Sequence, residues 1–291
     1  DEWLHAQRVK DPSRVMKAQM LEPIKVVEII TPVDITNPKP AIYVYDMGQN
    51  IAGWCRLTVE GPRNTEVVLK FAEILYQDGT VNQENLRTAK ATDTYILKGE
   101  AKEVYEPRFT YHGFRYVQVT GFPGRPTLKN LEGRVVRSAV EPVGKFTCSN
   151  DLLNKIHKNI VWTESNNLHS VPTDCPQRNE RMGWLNDVTV RAEEAIYNFN
   201  MVRLYTKWLK DIRDAQDKKT GAIADTAPFR WGSRPGDPVD CYLFIVWHLY
   251  QYYEDRRILE EHYQGIKHWV DFLGTQAKDY IIPYTLYGDW C

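Results

Sequence analysis

The residue pattern changes once along the chain, near residue 140, and this change limits what the chain can fold into. Before it, short runs rich in β-branched and aromatic residues alternate with glycine- and proline-containing turns. Such runs, with no helical segments between them, are typical of an antiparallel β-sandwich. After it, apolar residues recur every three or four positions, which is the spacing of helices with one buried face. The sequence therefore predicts an all-β part followed by an all-α part.

This pattern predicts three segments in the chain of 291 residues. Residues 1–40 contain five prolines and are expected to form a linker and an edge segment from an upstream domain. Residues 41–140 are predicted to form the β-sandwich domain. Residues 141–291 are predicted to form stacked αα-hairpins, either as a plain helical bundle or as the first half of an α/α barrel.

Individual elements can be placed within this outline. Strands are expected at residues 42–45, 55–59, 66–72, 114–119 and 133–137. Ser149-Asn-Asp is a plausible helix N-cap, and further helices are expected near residues 188–199, 202–215, 239–253 and 258–273. The capped helix carries four apolar residues on one face, namely Leu152, Leu153, Ile156 and Ile160.

Composition excludes several classes of protein. With 37 Lys+Arg against 38 Asp+Glu, the formal net charge is −1, which argues against non-specific nucleic-acid binding and against a polybasic membrane surface. No apolar run approaches the ~18 residues of a membrane span, and the first residues lack the pattern of a signal peptide. The compartment and the oligomeric state stay open.

Neither a metal site nor a cofactor is predicted. The five cysteines are widely spaced and form no C-x-x-C pair, so neither a disulfide framework nor a structural zinc site is expected. His248, His262 and His268 are interpreted as structural residues on helix faces. The glycine pattern contains no phosphate-binding loop.

The densest group of chemically active residues lies in residues 170–187, between two predicted helices. If a helix begins near Gln177, then Glu180, Trp184 and Asp187 share one of its faces. A carboxyl group that packs against an indole beside another carboxylate keeps its proton more tightly. A protonated carboxyl group is what general acid catalysis of glycoside cleavage requires.

The same residues also have a purely structural interpretation. Asp174 precedes Cys-Pro and could cap a turn or the start of a helix. Arg178 and Arg181 could pair with Glu180, which would stabilise its charged form instead. The spacing alone leaves the catalytic and the structural interpretations open.

A resemblance to a known family adds to this interpretation. Asp174-Cys-Pro-Gln-Arg-Asn-Glu-Arg-Met-Gly-Trp184 closely resembles the signature Asp-Cys-Pro-Gln-Arg-Asp-Glu-Arg-x-Gly-Trp of bacterial α-L-rhamnosidases, an inverting glycoside hydrolase family. Asp46-Met-Gly-Gln-Asn-Ile-Ala-Gly-Trp54 and Phe109-Thr-Tyr-His-Gly-Phe-Arg-Tyr-Val117 resemble its sandwich motifs, and Gly288-Asp-Trp290 resembles a later barrel motif. The resemblance covers about residues 40–291. It implies an antiparallel β-sandwich followed by the first half of an (α/α)6 catalytic barrel.

The resemblance also implies roles for particular residues. Glu180 would be the general acid. The hydroxyls of the terminal rhamnose would be bound by Asp174, Arg178 and Asp187, and the sugar would be stacked or walled by Trp184, Trp231 and Trp290. Asn179 and Asn186 depart from the family pattern, where Asp and Gly are usual. In the family the catalytic base is a glutamate far downstream, so the 291-residue chain alone is not expected to hydrolyse rhamnosides.

Two functions of different classes follow. The first is inverting removal of terminal α-L-rhamnose from glycosides or polysaccharides, with a rhamnose-containing glycoside as the partner and neither nucleic acid nor membrane. The alternative is a non-catalytic carbohydrate-binding protein on the same scaffold, favoured by Asn179 and by the absence of a local base. The 9 Trp, 17 Tyr and 9 Phe suit sugar binding but also fill ordinary cores. Trp54 and residues 111–114 are expected to serve packing rather than sugar contacts.

Overall fold

The computed structural model describes residues 5–10, 16–231 and 241–283. Within these residues, the first half of the chain forms ten β-strands joined by turns. They are β1 (Ile24–Ile30), β2 (Asp34–Lys39), β3 (Ile42–Val59), β4 (Glu66–Ala72), β5 (Ile74–Leu75), β6 (Val81–Asn82), β7 (Thr92–Ile96), β8 (Glu103–Tyr105), β9 (His112–Thr120) and β10 (Leu131–Ser138).

The strand β3 organises the sheet because it is long enough to pair with four other strands. Strands β1, β10, β3, β9, β4 and β7 follow one another across the sheet, while β2 and β8 also pair with β3, and β5 pairs separately with β6. The pairing of β3 with β9 shifts between Asp46 and Ile51, where Gly48 has a φ of 73°. A bulge at a residue with positive φ bends a strand, so the sheet curls there around its own core. This curled antiparallel sheet confirms the predicted sandwich class.

The predicted strands are present, with two differences. Residues 42–45 and 55–59, expected as separate strands, belong to the single strand β3. Within residues 1–40, β1 forms one edge of the sheet beside β10, and β2 pairs with β3. The domain boundaries at residues 40 and 140 stay predictions.

The second half of the described chain is helical. Its helices are α1 (Asp151–Asn166), α2 (Leu185–Thr189), α3 (Ala192–Asn198), α4 (Val202–Ala215), α5 (Cys241–Tyr253) and α6 (Arg256–Gln276). They share one apolar core in which Trp208 and Trp269 are fully buried. Helices α4, α5 and α6 pack against one another in sequence, as expected for αα-hairpins.

The helix predictions are largely confirmed. The side chain of Asn150 accepts hydrogen bonds from the N–H groups of Leu152 and Leu153, as an N-cap does. The helix expected near residues 188–199 is split into α2 and α3, since Arg191 leaves helical geometry and its side chain forms an ion pair with Glu164. Among the described residues, no helix has the length and apolarity needed to cross a bilayer.

The apolar face of α1 is exposed. Leu152 and Leu153 are 64% and 48% exposed, and Ile156 and Ile160 are also open to solvent. These are the four apolar residues that the sequence places on one face of this helix. The C-terminal end of α1 is buried instead, through Glu164, Ser165 and Asn166.

The C-terminal end of α1 packs against the curled sheet. Trp162 Nε1 donates to the Asn50 carbonyl at 2.7 Å, and the Ala52 N–H donates to Asn166 Oδ1 at 3.2 Å. These contacts hold the residues that follow α1 directly over strands β3 and β9.

Candidate active site

The loop between α1 and α2, residues 167–184, carries most of the predicted site residues. The prediction that a helix begins near Gln177 is wrong, because α2 begins at Leu185. Asp174 Oδ1 accepts from the Met182 N–H at 2.8 Å, and the Asp174 N–H donates to the Met182 carbonyl at 3.1 Å. With Arg181 at a φ of 53°, the segment closes into a loop that a continuous helix cannot follow.

The structure nevertheless brings the predicted carboxylates together. Arg178 Nη2 lies 2.9 Å from Glu180 Oε2 and 3.8 Å from Asp174 Oδ2, so one guanidinium links the two acids. The side chain of Asp174 is 7% exposed and that of Glu180 16% exposed. Asp187 lies in the first turn of α2, where its carboxyl is close enough to both acids to interact with them electrostatically.

Two of these carboxyl groups are harder to ionise than usual. Burial raises the pKa of Asp174, and the neighbouring Glu180 raises it further, against the hydrogen bond from the Met182 N–H. Partial loss of hydration also raises the pKa of Asp187; Asp174 and Glu180 add to this, while Arg191 opposes it. Both effects follow from bringing acids together where water is largely excluded.

The two arginines of the signature have different partners. Arg178 pairs with Glu180, as the structural interpretation allowed. Arg181 does not: its Nη1 donates to the Tyr111 carbonyl at 2.8 Å, and its guanidinium lies 4.9 Å from the Tyr111 ring centroid. The Tyr111 ring stacks on His169 at 3.9 Å. Arg181 therefore attaches the loop to the sheet, which agrees with the packing role expected for residues 111–114.

The curled sheet also contributes residues that the sequence did not suggest. Arg87 Nη1 donates to Glu180 Oε2 at 2.9 Å, and Asn179 Nδ2 donates to Thr88 Oγ1. Arg87 and Glu180 are 93 positions apart, and no pattern in the sequence connects them. The contact arises only because the turn after residues 84–86 lies over the α1–α2 loop.

The predicted tryptophans are only partly described. Trp184 forms an isolated bridge with Thr226, and the Trp231 N–H donates to Thr226 Oγ1 at 2.9 Å, so two adjacent loops carry these residues. Trp231 is 47% exposed. Trp290 lies outside the described residues.

One group of side chains has the composition of a metal site. The ligand atoms of Asp174, Cys175 and Glu180 lie within 4.8 Å of one another. Burial, and next the neighbouring Asp174, raise the pKa of the Cys175 thiol to about 11, which keeps the sulfur protonated at neutral pH. Since Arg87 and Arg178 already lie 2.9 Å from Glu180 Oε2, a cation bound through that oxygen would have to displace them.

Comparison with known proteins matches both halves of this architecture. Residues 141–291 match the bacterial α-L-rhamnosidase 6-hairpin glycosidase domain, and residues 36–137 match the bacterial α-L-rhamnosidase concanavalin-like domain. The chain belongs to the bacterial α-L-rhamnosidase family. The α1–α2 loop lies within the glycosidase-domain match.

Relatives in this family are similar in sequence and in structure. The α-L-rhamnosidase of Streptomyces avermitilis is 43% identical over 99% of the chain. Its structure in complex with L-rhamnose matches with a TM-score of 0.90 over 94% of the chain and 27% of its own. The α-L-rhamnosidase structure from Dictyoglumus thermophilum is 52% identical, with a TM-score of 0.91 over 94% of this chain and 31% of that one. The chain spans 28% of the length of the curated Streptomyces relative.

Proposed function

We propose that this chain is part of a glycoside hydrolase whose full length is similar to that of the relatives. It removes terminal α-L-rhamnose from glycosides or polysaccharides with inversion of configuration. The observation that carries this proposal is the cluster of three carboxyl groups formed by Asp174 and Glu180 of the α1–α2 loop and Asp187 of α2. The rhamnose in the related Streptomyces structure supports the choice of sugar.

In this proposal Glu180 is the general acid that protonates the glycosidic oxygen. It comes from a loop between helices and is largely withdrawn from water, where a positioned proton donor acts effectively. Asp174 and Asp187 bind hydroxyls of the terminal sugar. Both carboxyl groups are partly removed from water, which raises their pKa values, and sugar hydroxyls can supply the hydrogen bonds that water no longer provides. A sugar hydroxyl would restore the hydrogen bond that the buried Asp174 Oδ2 lacks.

The remaining site residues shape the pocket around the sugar. Arg178 bridges Asp174 and Glu180 and would contact the same sugar hydroxyls. Trp184 and Trp231, on adjacent loops, and Trp290 would cover the apolar side of a 6-deoxy sugar. An inverting reaction also needs a second carboxylate about 6.5–9.5 Å from the acid to activate water. We assign that role to a glutamate of a later barrel loop, as in the family pattern.

The central test is a Glu180→Gln variant of the full-length protein. It keeps the shape of the side chain and removes the proton donor, so kcat on a rhamnosyl disaccharide should fall about 10²–10⁴-fold while rhamnose binding persists. A matched control is Glu193→Gln, which alters a surface acid of α3 that accepts from Tyr197. Near-native kcat in Glu180→Gln would refute the assignment.

The alternative function predicts a different result in the unmodified protein. A non-catalytic carbohydrate-binding protein would bind rhamnose in calorimetry without turning over any rhamnoside. Turnover of an aryl α-L-rhamnoside, together with the loss in Glu180→Gln, would reject that alternative.

A further inference from the structure

The curled sheet places a cation on the acid of the helical domain. Arg87 follows the short 3-10 turn Glu84–Leu86, and its Nη1 donates to Glu180 Oε2 at 2.9 Å. Arg178 approaches the same oxygen from within the α1–α2 loop, also at 2.9 Å. Among the described residues, no hydrogen bond reaches Glu180 Oε1. The two oxygens of this carboxyl group are therefore not equivalent.

The conformation of Arg87 supports a specific role for it. Its backbone has φ 57° and ψ −115°, a region that costs free energy for any residue other than glycine. The chain keeps it there because Leu86 is fully buried beside it and Thr88 accepts from Asn179 on the opposing loop. The turn is thus anchored on both sides of Arg87, and its guanidinium points at the acid.

We infer that Arg87 is a positioning residue for proton delivery by Glu180. Two guanidiniums occupy Oε2, so the proton of the acid form is carried on Oε1, the oxygen left to face the glycosidic oxygen. As that proton moves to the leaving oxygen, the C–O bond breaks, and water bonds to the anomeric carbon while giving its proton to the second carboxylate. Negative charge then develops on Glu180. Arg87 and Arg178 stabilise this charge where it appears. The inference rests on the proposed function of Glu180.

Other charges around Glu180 act in the opposite direction. Asp174 lies in the same loop and Asp187 at the start of α2, and both carboxylates repel a negative Glu180. Without Arg87, Arg178 alone would have to balance this repulsion while also serving Asp174. The expected consequence is a misplaced acid rather than an unfolded domain, because the Arg87 side chain is half-exposed.

Substrates with different leaving groups distinguish a role of Arg87 in proton delivery from a purely structural role, which would affect all substrates equally. A 4-nitrophenolate leaves with little protonation, whereas a sugar alkoxide must be protonated as it leaves. In the full-length protein, Arg87→Met should lower kcat on a rhamnosyl disaccharide about 10²-fold. It should lower kcat on 4-nitrophenyl α-L-rhamnoside less than about threefold. Arg87→Lys should recover part of the loss on the disaccharide.

The controls separate this inference from the proposed function. Lys90→Met removes an exposed cation three residues away and should leave both substrates unaffected. Equal losses on both substrates in Arg87→Met and Arg87→Lys, or no loss on either, would overturn the role of Arg87. If Glu180→Gln also failed to discriminate between the leaving groups, the assignment of Glu180 itself would be wrong. If Glu180→Gln lowered kcat more on the disaccharide than on the nitrophenyl substrate, and the Arg87 variants did not, only the role of Arg87 would be rejected.

Discussion

The ring of His169 is kept neutral by its surroundings. Its Nε2–H donates to the Val136 carbonyl at 2.9 Å, its face stacks on Tyr111, and its Nδ1 has no hydrogen-bond partner among the described residues. Burial lowers the pKa of His169 to about 4, and the nearby cations Arg181 and Arg137 lower it further. If the ring were protonated, the added N–H at Nδ1 would have no hydrogen-bond acceptor among the described residues.

This arrangement predicts how stability depends on pH. Between about pH 6.5 and pH 4 the unfolded chain binds a proton at His169 that the folded chain does not, so stability falls as the pH falls. The full effect of this residue is about 3 kcal/mol. His169→Gln keeps a donor for the Val136 carbonyl and should flatten the urea-unfolding free energy across this range.

The same slope of stability against pH in His169→Gln and in the unmodified protein would show that His169 does not control this dependence.

The sequence predicted the residues of the site where they are close together along the chain. Asp174, Arg178 and Glu180 fall within seven positions, so any compact loop brings them together. Their partners could not be predicted in the same way. Arg87 reaches Glu180 only through the packing of the curled sheet on the loop, which no local pattern encodes.

The contact between strand β9 and the α1–α2 loop depends on the absence of a side chain at Gly113. A Cβ placed there would lie 2.7 Å from Gln177 Cβ and 2.9 Å from the Gln177 backbone nitrogen, so one of the two elements would have to move. Backbone atoms are involved, and the clash cannot be relieved by turning a side chain.

Gly113→Ala should therefore push the loop away from the sheet. We expect a loss of about 1–3 kcal/mol in stability, together with weaker rhamnose binding by the full-length protein. Thermal unfolding and calorimetry measure the two effects. Gly274→Ala is the matched control with the opposite sign: it lies in α6, where an added methyl group would meet no atom within 4 Å, and should stabilise by about 0.5 kcal/mol. Unchanged stability and binding in Gly113→Ala would show that the loop does not depend on this contact.

Element boundaries were predictable where one periodic pattern continued without interruption. Strand β4 and helix α4 have the bounds expected from their sequence, because alternation or helical spacing persists from end to end. The break between α2 and α3 was missed because it depends on the ion pair of Arg191 with Glu164, a tertiary contact. The helix expected from Gln177 was missed for a similar reason, since Asp174 binds Met182 across the loop.

The exposed apolar face of α1 predicts how the 291-residue chain behaves by itself. Leu152, Ile156 and Ile160 follow one another at helical spacing and all remain open to solvent in the described structure. Contiguous apolar patches of this kind drive association. The isolated chain should therefore self-associate and bind a hydrophobic dye.

Replacing Leu152 and Ile156 with Gln should reduce that self-association, as measured by sedimentation, and change the melting temperature little. The matched control replaces Val67 with Gln. Val67 is fully buried in β4, so this change should destabilise the fold instead. Association that is unaffected by the α1 substitutions would locate the associating surface elsewhere.

The bond between Arg87 and Glu180 has a consequence for how such proteins can be recombined. In our inference the sheet supplies a residue that positions the general acid. A chimera that joins the helical domain of one relative to the sheet of another should therefore have a misplaced acid, unless that sheet carries an arginine in the same turn. Grafting the turn around Arg87 along with the helical domain should restore activity to such chimeras. Exchange of domains between family members is then limited by Arg87 as well as by the packing contacts that join the two halves.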